Sequence, residues 1–328
     1  MRYKNTLTPL KKPWPILADY PAYIEPLAAD ACFQAPALVE DPDGTLSVRS
    51  WRYWYNARGI VVTENRLEAQ ATAVVVVHPW GIDDGHGLRS PEPAGVGFFC
   101  TCEKNAIGLA HMREVLNPFL KAVRDRVGLV AYSLPGSEDN IRRQLYASIR
   151  TEPEALDVTS GERALKELVG HLSFRGDQLV PEMILDDACP LPDYFRKATS
   201  TDAGDAYNGP GFWDLPMPLS SAIEHSPQDR IFYDAEGYHP VCDFLKRRGI
   251  RHVLLAGYCT DMCVARTTCG YDNFCRDFNV FLVGDATLAT FPGSCTPKYA
   301  TQAALANAAL EHMVTQIRWV RFADVEKR

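Results

Sequence analysis

Hydrophobic and polar positions follow two rhythms along the chain. In "GTLSVRSWRYWYNARGIVVTEN" they alternate in short runs, the period-two pattern of half-buried strands, and two or three short strands are predicted there. From Ala71 the pattern changes. "ATAVVVV" is an unbroken β-branched run, as expected of a strand buried on both faces of a parallel sheet. The loop "HPWGIDDGHGLRSPEPAG" follows it. Ile107, Leu109, Met112, Val115, Leu116, Phe119, Leu120 and Val123 then recur at helical spacing, before a second strand in "GLVAYSL".

The stretch from about 135 to 227 is polar and irregular, with helical patches near Asn140 to Ile149 and Glu162 to His171, and reads as an insertion. The α/β rhythm resumes afterwards. It predicts a strand in "RIFYD", a helix in "HPVCDFLKRRG", a strand in "IRHVLLAG", a helix from about Thr260, a strand in "NVFLVGD" and a last helix over Thr296 to Val314. Strands separated by helices imply parallel order and right-handed crossovers. The expected fold is a three-layer α/β/α arrangement around a mostly parallel sheet, preceded by a β-rich extension. The expected boundaries are 1–70 for the extension and 71–328 for the main domain, with the insertion inside it.

Composition narrows the partners. The 328 residues carry a formal net charge of −7, with Lys and Arg scattered, so no basic footprint for nucleic acid or an anionic membrane is present. The longest apolar run, Ala73 to Val77, is far too short to cross a bilayer. Lysines and prolines interrupt the first twenty residues, which predicts no secretion signal and a cytoplasmic protein. Ten cysteines in a chain of this length, with no CxxC pair, are mostly structural thiols on this reading.

One cysteine stands apart. In "LLAGYCTDMCVARTT", Cys263 comes just after the predicted strand Val253 to Ala256, at the first turn of a predicted helix with Thr260 as its N-cap. Unpaired N–H groups at such a place lower a thiol's pKa and stabilise an oxyanion, whereas a thiol packed under the sheet is inert. Spacing alone leaves both readings open.

The motif "AGYCTDMCVARTT", followed by "VFLVGDATLAT", resembles the signature of the isochorismatase-like cysteine hydrolases, which include nicotinamidases and N-carbamoylsarcosine amidase. The glycine, Thr260, Asp261, Cys263, Val264 and Asp285 fall in register. The resemblance extends to the valine run and to "FLKRRGIRHVLLAG", and covers about two thirds of the chain. It implies that Cys263 attacks a carbonyl carbon, that a cis peptide joins Tyr258 to Cys259, and that the backbone N–H groups of Cys259 and Cys263 receive the oxyanion. It also implies subunit association.

Two departures accompany the match. Where the family has an Asp base at the end of the first strand, this chain has His78. Where it has a Lys near "RIFYD", no Lys occurs and Arg230 is the nearest cation. A Cys263–His78 dyad is chemically sensible, because imidazole can take the thiol proton and return it to a leaving amine; Asp83 or Asp84 is then the expected orienter of the ring. Trp80, Glu236 and His239 are candidate substrate-binding residues. Asp83, Asp84 and His86 are weak candidates for a metal ion, and otherwise no cofactor is expected. The expected activity is hydrolysis of a small amide through an acyl-enzyme. The alternatives are a non-catalytic binding or assembly protein of the same fold, and metal-activated water with Cys263 secondary.

Overall fold

The computed structural model describes residues 8–9, 32–54, 56–57, 59–81, 102–171, 215–260, 262–288 and 313–321. Its described strands form one ten-stranded sheet. They are β1 (Thr8–Pro9), β2 (Cys32–Ala35), β3 (Leu46–Trp54), β4 (Gly59–Leu67), β5 (Thr72–Val77), β6 (Leu129–Leu134), β7 (Arg230–Tyr233), β8 (His252–Tyr258), β9 (Asn279–Leu288) and β10 (Met313–Arg321). The spatial order is β1-β2-β4-β3-β10-β9-β8-β5-β6-β7.

From β10 to β7 all neighbours pair in parallel. Every residue of β5, β6, β7 and β8 is buried, so these strands are sandwiched, as the valine run predicted. Alternate side chains of β5 separate two cores. Val74 and Val76 pack with α1 (Cys102–His111), a π-helical turn over Met112–Leu116, and α2 (Asn117–Val123), through Leu109, Met112, Leu116 and Phe119. Ala73, Val75 and Val77 pack with Val241, Phe244 and Leu245 of α5 (Tyr238–Arg247), and with Cys263 of α6 (Cys263–Arg266) and Phe274 of α7 (Tyr271–Phe274). Helices therefore cover both faces, in a three-layer α/β/α architecture. In the insertion, α3 (Arg142–Leu145) and α4 (Val158–Gly170) occupy the two predicted helical patches, α4 being capped by Asp157, which accepts from the Ser160 N–H at 3.2 Å.

Two elements differ from expectation. The helix predicted over Thr296 to Val314 lies mostly outside the described residues, but its last two residues open β10, where Met313 pairs with Phe281 and Val314 with Leu282. An alanine-rich helical pattern ran into a strand rich in β-branched residues, and local periodicity alone does not mark the boundary. This strand is parallel to β9 and antiparallel to β3, so it joins the β3–β4 hairpin of the extension to the parallel sheet. The helix predicted from about Thr260 starts instead at Cys263. Its N-cap position is Met262, with no side-chain cap, so Thr260 does not play the expected part.

The parallel order brings the carboxyl ends of β5, β7 and β8 to one edge, where ligands bind in such sheets. Gly257 sets the approach of β8 to β5. A Cβ there would lie 2.2 Å from the carbonyl oxygen of Val77, and its φ is +111°, a conformation suited only to glycine. Gly257→Ala is expected to cost at least about 2 kcal/mol, because strain and a backbone clash add. Urea unfolding checks this, and a loss below about 0.5 kcal/mol would contradict the close approach.

Candidate active site

His78 ends β5 with a φ of +51°. This left-handed turn is uncommon for a side-chain-bearing residue and redirects the chain at the end of the strand. The His78 N–H donates to Ser133 O at 3.1 Å, so the backbone closes over the end of β6. Beyond β6 lies β7, and there the imidazole finds its partner: His78 Nε2 lies 2.8 Å from Asp234 Oδ2. Asp234 opens a short 3-10 turn (Asp234–Glu236) directly after β7, a turn tied down by the Ala235 N–H donating to Gly136 O at 3.0 Å.

Cys263, 8% exposed, is the first residue of α6 and packs on the same face as Val77 and Phe232. The strand before it ends in a cis peptide between Tyr258 and Cys259. The Met262 and Val264 N–H groups both donate to Cys259 O at 3.1 Å, and the Thr260 N–H donates to Leu288 O at 2.9 Å. These bonds shape the loop into a tight turn around Cys259.

The electrostatics link the three side chains. Burial pushes the His78 pKa down, but hydrogen bonding to Asp234 and to Cys263, together with their charges, outweighs it and raises the value from 6.5 to about 9. His78 Nδ1 itself has no hydrogen-bond partner among the described residues. Asp234 accepts at Nε2, so Nε2 carries the proton and Nδ1 is the atom left to exchange one with the thiol. Cys269 shows the opposite condition. Burial, then the charges of Asp234 and Glu236, hold its thiol well above the usual range, so it stays protonated and inert.

The other sequence candidates separate clearly. Arg230 stands at the opposite end of β7 from Asp234, where its Nη2 pairs with Glu152 Oε2 at 2.6 Å; it is not brought to Cys263 and His78. Trp80 is 1% exposed and belongs to the core on the other face of the sheet, in a bridge with Leu219. His239 is exposed on the first turn of α5, beside Tyr238. Glu236 has a buried carboxylate whose Oε1 lies 3.5 Å from Arg150 Nε, and its pKa is raised by burial, against the lowering effect of Arg150. Asp83, Asp84 and His86, expected as ring orienter or metal ligands, lie outside the described residues, and among the described residues no group of three or more His, Cys, Asp or Glu could hold a metal.

Asp234 is the residue that sequence reasoning missed. The signal was present: it is the acidic residue at the end of "RIFYD", the segment near which the resemblance expects a lysine. Read separately, His78 for Asp and no Lys near β7 look like two losses. Together they place an imidazole after β5 and a carboxylate after β7, in contact with each other.

The isochorismatase domain family matches residues 209–319, the segment that contains Asp234 and Cys263. No curated protein matches the chain. Among solved structures, a cysteine hydrolase from Pseudomonas syringae pv. phaseolicola is 15% identical with a TM-score of 0.41, over 79% of this chain and 94% of that one. An isochorismatase family protein from Burkholderia thailandensis is 14% identical with a TM-score of 0.35, over 79% of this chain and 97% of that one. A nicotinamidase/pyrazinamidase from Acinetobacter baumanii is 13% identical with a TM-score of 0.35, over 77% and 99%. Likenesses at this level carry no argument about activity.

The raised His78 pKa sets a pH dependence. The native site binds the imidazole proton more tightly than the unfolded chain does, so its stabilisation is complete below pH 6.5 and is lost as pH rises through about 9. The expected loss over that window is roughly 3 kcal/mol, and Asp234→Asn should flatten it. Denaturant unfolding across the window checks this; equal slopes in wild type and variant would refute the pairing. The match to the isochorismatase domain family, over residues 209–319, lies across both Asp234 and Cys263.

Proposed function

We propose that this protein is a cysteine hydrolase acting on a small amide C–N bond, with Cys263 as nucleophile, His78 as acid–base and Asp234 as the orienter of His78. The observation that supports it most is that one imidazole meets a carboxylate at Nε2 and also interacts with the Cys263 thiol. This is the division of labour that nucleophilic triads use.

In this reading the Cys263 proton already rests on Nδ1 near neutral pH, as the raised His78 pKa dictates, and the thiolate attacks the carbonyl carbon. The negative charge passes to the carbonyl oxygen, where the N–H groups of Cys259 and Cys263 stabilise it. The C–N bond breaks as the imidazolium returns the proton to the departing amine, leaving a thioester. Water, losing a proton to Nδ1, then releases the acid and restores the thiolate. Asp234 stabilises the imidazolium in both halves, and burial of the pair strengthens that effect.

Absence of both the family's expected Asp and its Lys is the feature that favours a non-catalytic reading. A panel of small amides assayed for ammonia or amine release separates the two. Cys263→Ala should fall to background, and His78→Gln and Asp234→Asn should each lower kcat by about 10²–10⁴, since the wrong tautomer or a lost base costs this much in comparable triads. Release that survives Cys263→Ala, or an Asp234→Asn enzyme with unchanged kcat, would sink the proposal.

A further inference from the structure

On the face of the sheet away from Cys263, one imidazole ties the end of β8, which leads into the turn the proposed mechanism needs, to β9. His111 ends α1, just before the π-helical turn, and is 1% exposed. Its Nε2 lies 2.7 Å from the backbone oxygen of Asp285, and its Nδ1 lies 2.8 Å from Tyr258 Oη. A carbonyl only accepts, so Nε2 carries the hydrogen. Nδ1 is then an acceptor and the Tyr258 hydroxyl donates to it. Both ring nitrogens are thereby engaged with the imidazole neutral, and burial first of all pulls its pKa down to about 4, which keeps it so near neutral pH. The two rings meet edge to face, with centroids 5.6 Å apart.

The two partners are not ordinary strand positions. Tyr258 is the last residue of β8 and directly precedes Cys259. Asp285 lies in an irregularity of β9, where the register jumps from Leu255↔Leu282 to Gly257↔Thr287. Extra chain in β9 leaves backbone groups without ladder partners, and such irregularities are common beside active sites. His111 therefore clamps the end of β8 to the bulged part of β9 from behind. Beyond them, the Thr260 N–H reaches Leu288 O and closes the same two strands again. The turn carrying Cys259 and Cys263 hangs from this clamp.

We propose that His111 is a positioning residue for acyl transfer: as a hydrogen-bonded bridge between Tyr258 and the Asp285 carbonyl, it holds the end of β8 so that the Cys259 and Cys263 N–H groups face the oxyanion. The inference rests on the assignment of Cys263 as nucleophile. It predicts an effect on steps that form an oxyanion and none on steps that need only the thiolate.

Two probes of the full-length protein make that division. Acetylation by p-nitrophenyl acetate forms a sulfur–carbon bond at Cys263, breaks the ester C–O bond and expels p-nitrophenolate, with the thiol proton resting on His78; it passes through an oxyanion. Alkylation by iodoacetamide displaces iodide at a saturated carbon and forms no oxyanion. His111→Phe should slow acetylation at least about tenfold while leaving alkylation within about twofold. His111→Gln, which can both accept and donate, should recover most of the acetylation rate. Tyr258→Phe should show the same split, which keeps the test available if the phenylalanine variant folds poorly, and combining it with His111→Phe should add little.

Unchanged acetylation in both His111→Phe and Tyr258→Phe would overturn the proposal. So would a parallel fall of acetylation and alkylation, which marks a general loss of structure. A wild-type protein that is alkylated at Cys263 but never acetylated there would remove the acyl-transfer reading itself, and the positioning role with it, before any variant is compared.

Discussion

The site depends on a single hydrogen bond thrown across the end of a strand. His78 and Asp234 leave β5 and β7, which are not neighbours, and their 2.8 Å contact spans the intervening β6. Strands lie about 4.8 Å apart, so two such spacings must be bridged by one imidazole and one short carboxylate. That is possible because His78 turns at positive φ and bonds the backbone of Ser133 on the way, while Asp234 begins its own turn at once after Tyr233. Buried charged partners are costly singly and tolerable together, so removal of either leaves the other poorly solvated. The same contact thus links the ends of β5 and β7 and raises the pKa of one ring.

The two faces of the sheet share the chemistry unequally. Cys263 and the apolar parts of β5 and β7 lie on the face covered by α5, α6 and α7. Tyr258 and Cys259, immediately upstream, belong to the opposite face, against α1 and the π-helical turn. The chain crosses the edge of the sheet between Cys259 and Cys263, so the geometry of the crossing is governed from both sides. α6 itself has four residues, too short for the macrodipole to be the main source of thiol activation expected from the sequence.

Much of the architecture was legible in pattern. The valine run identified β5, the helical spacing from Ile107 to Val123 identified α1 and α2, and the alternation in "GTLSVRSWRYWYNARGIVVTEN" predicted two or three short strands where the structure has β3 and β4. In each case the burial pattern is imposed locally, by period and side-chain shape. β10 was not legible, because its first residues continue a helical pattern and its place between β9 and β3 is a long-range pairing. Arg230 was singled out as the nearest cation in the sequence, yet a strand carries its two ends in opposite directions, and the same four residues that begin at Arg230 deliver Asp234 to the other edge.

By itself, the sequence determined that Cys263 follows a buried strand, that His78 ends another, and that the expected Asp and Lys are both absent. These are properties of positions along one chain, read from hydrophobic period and motif spacing. Only the tertiary structure decided which carboxylate meets His78, because Asp83 and Asp84 are near it in sequence while Asp234 is 156 residues away and near it in space. Parallel strand order causes this. It gathers carboxyl ends from distant segments at one edge, and strand order, unlike strand existence, is settled by how the elements pack and not by any local stretch of residues.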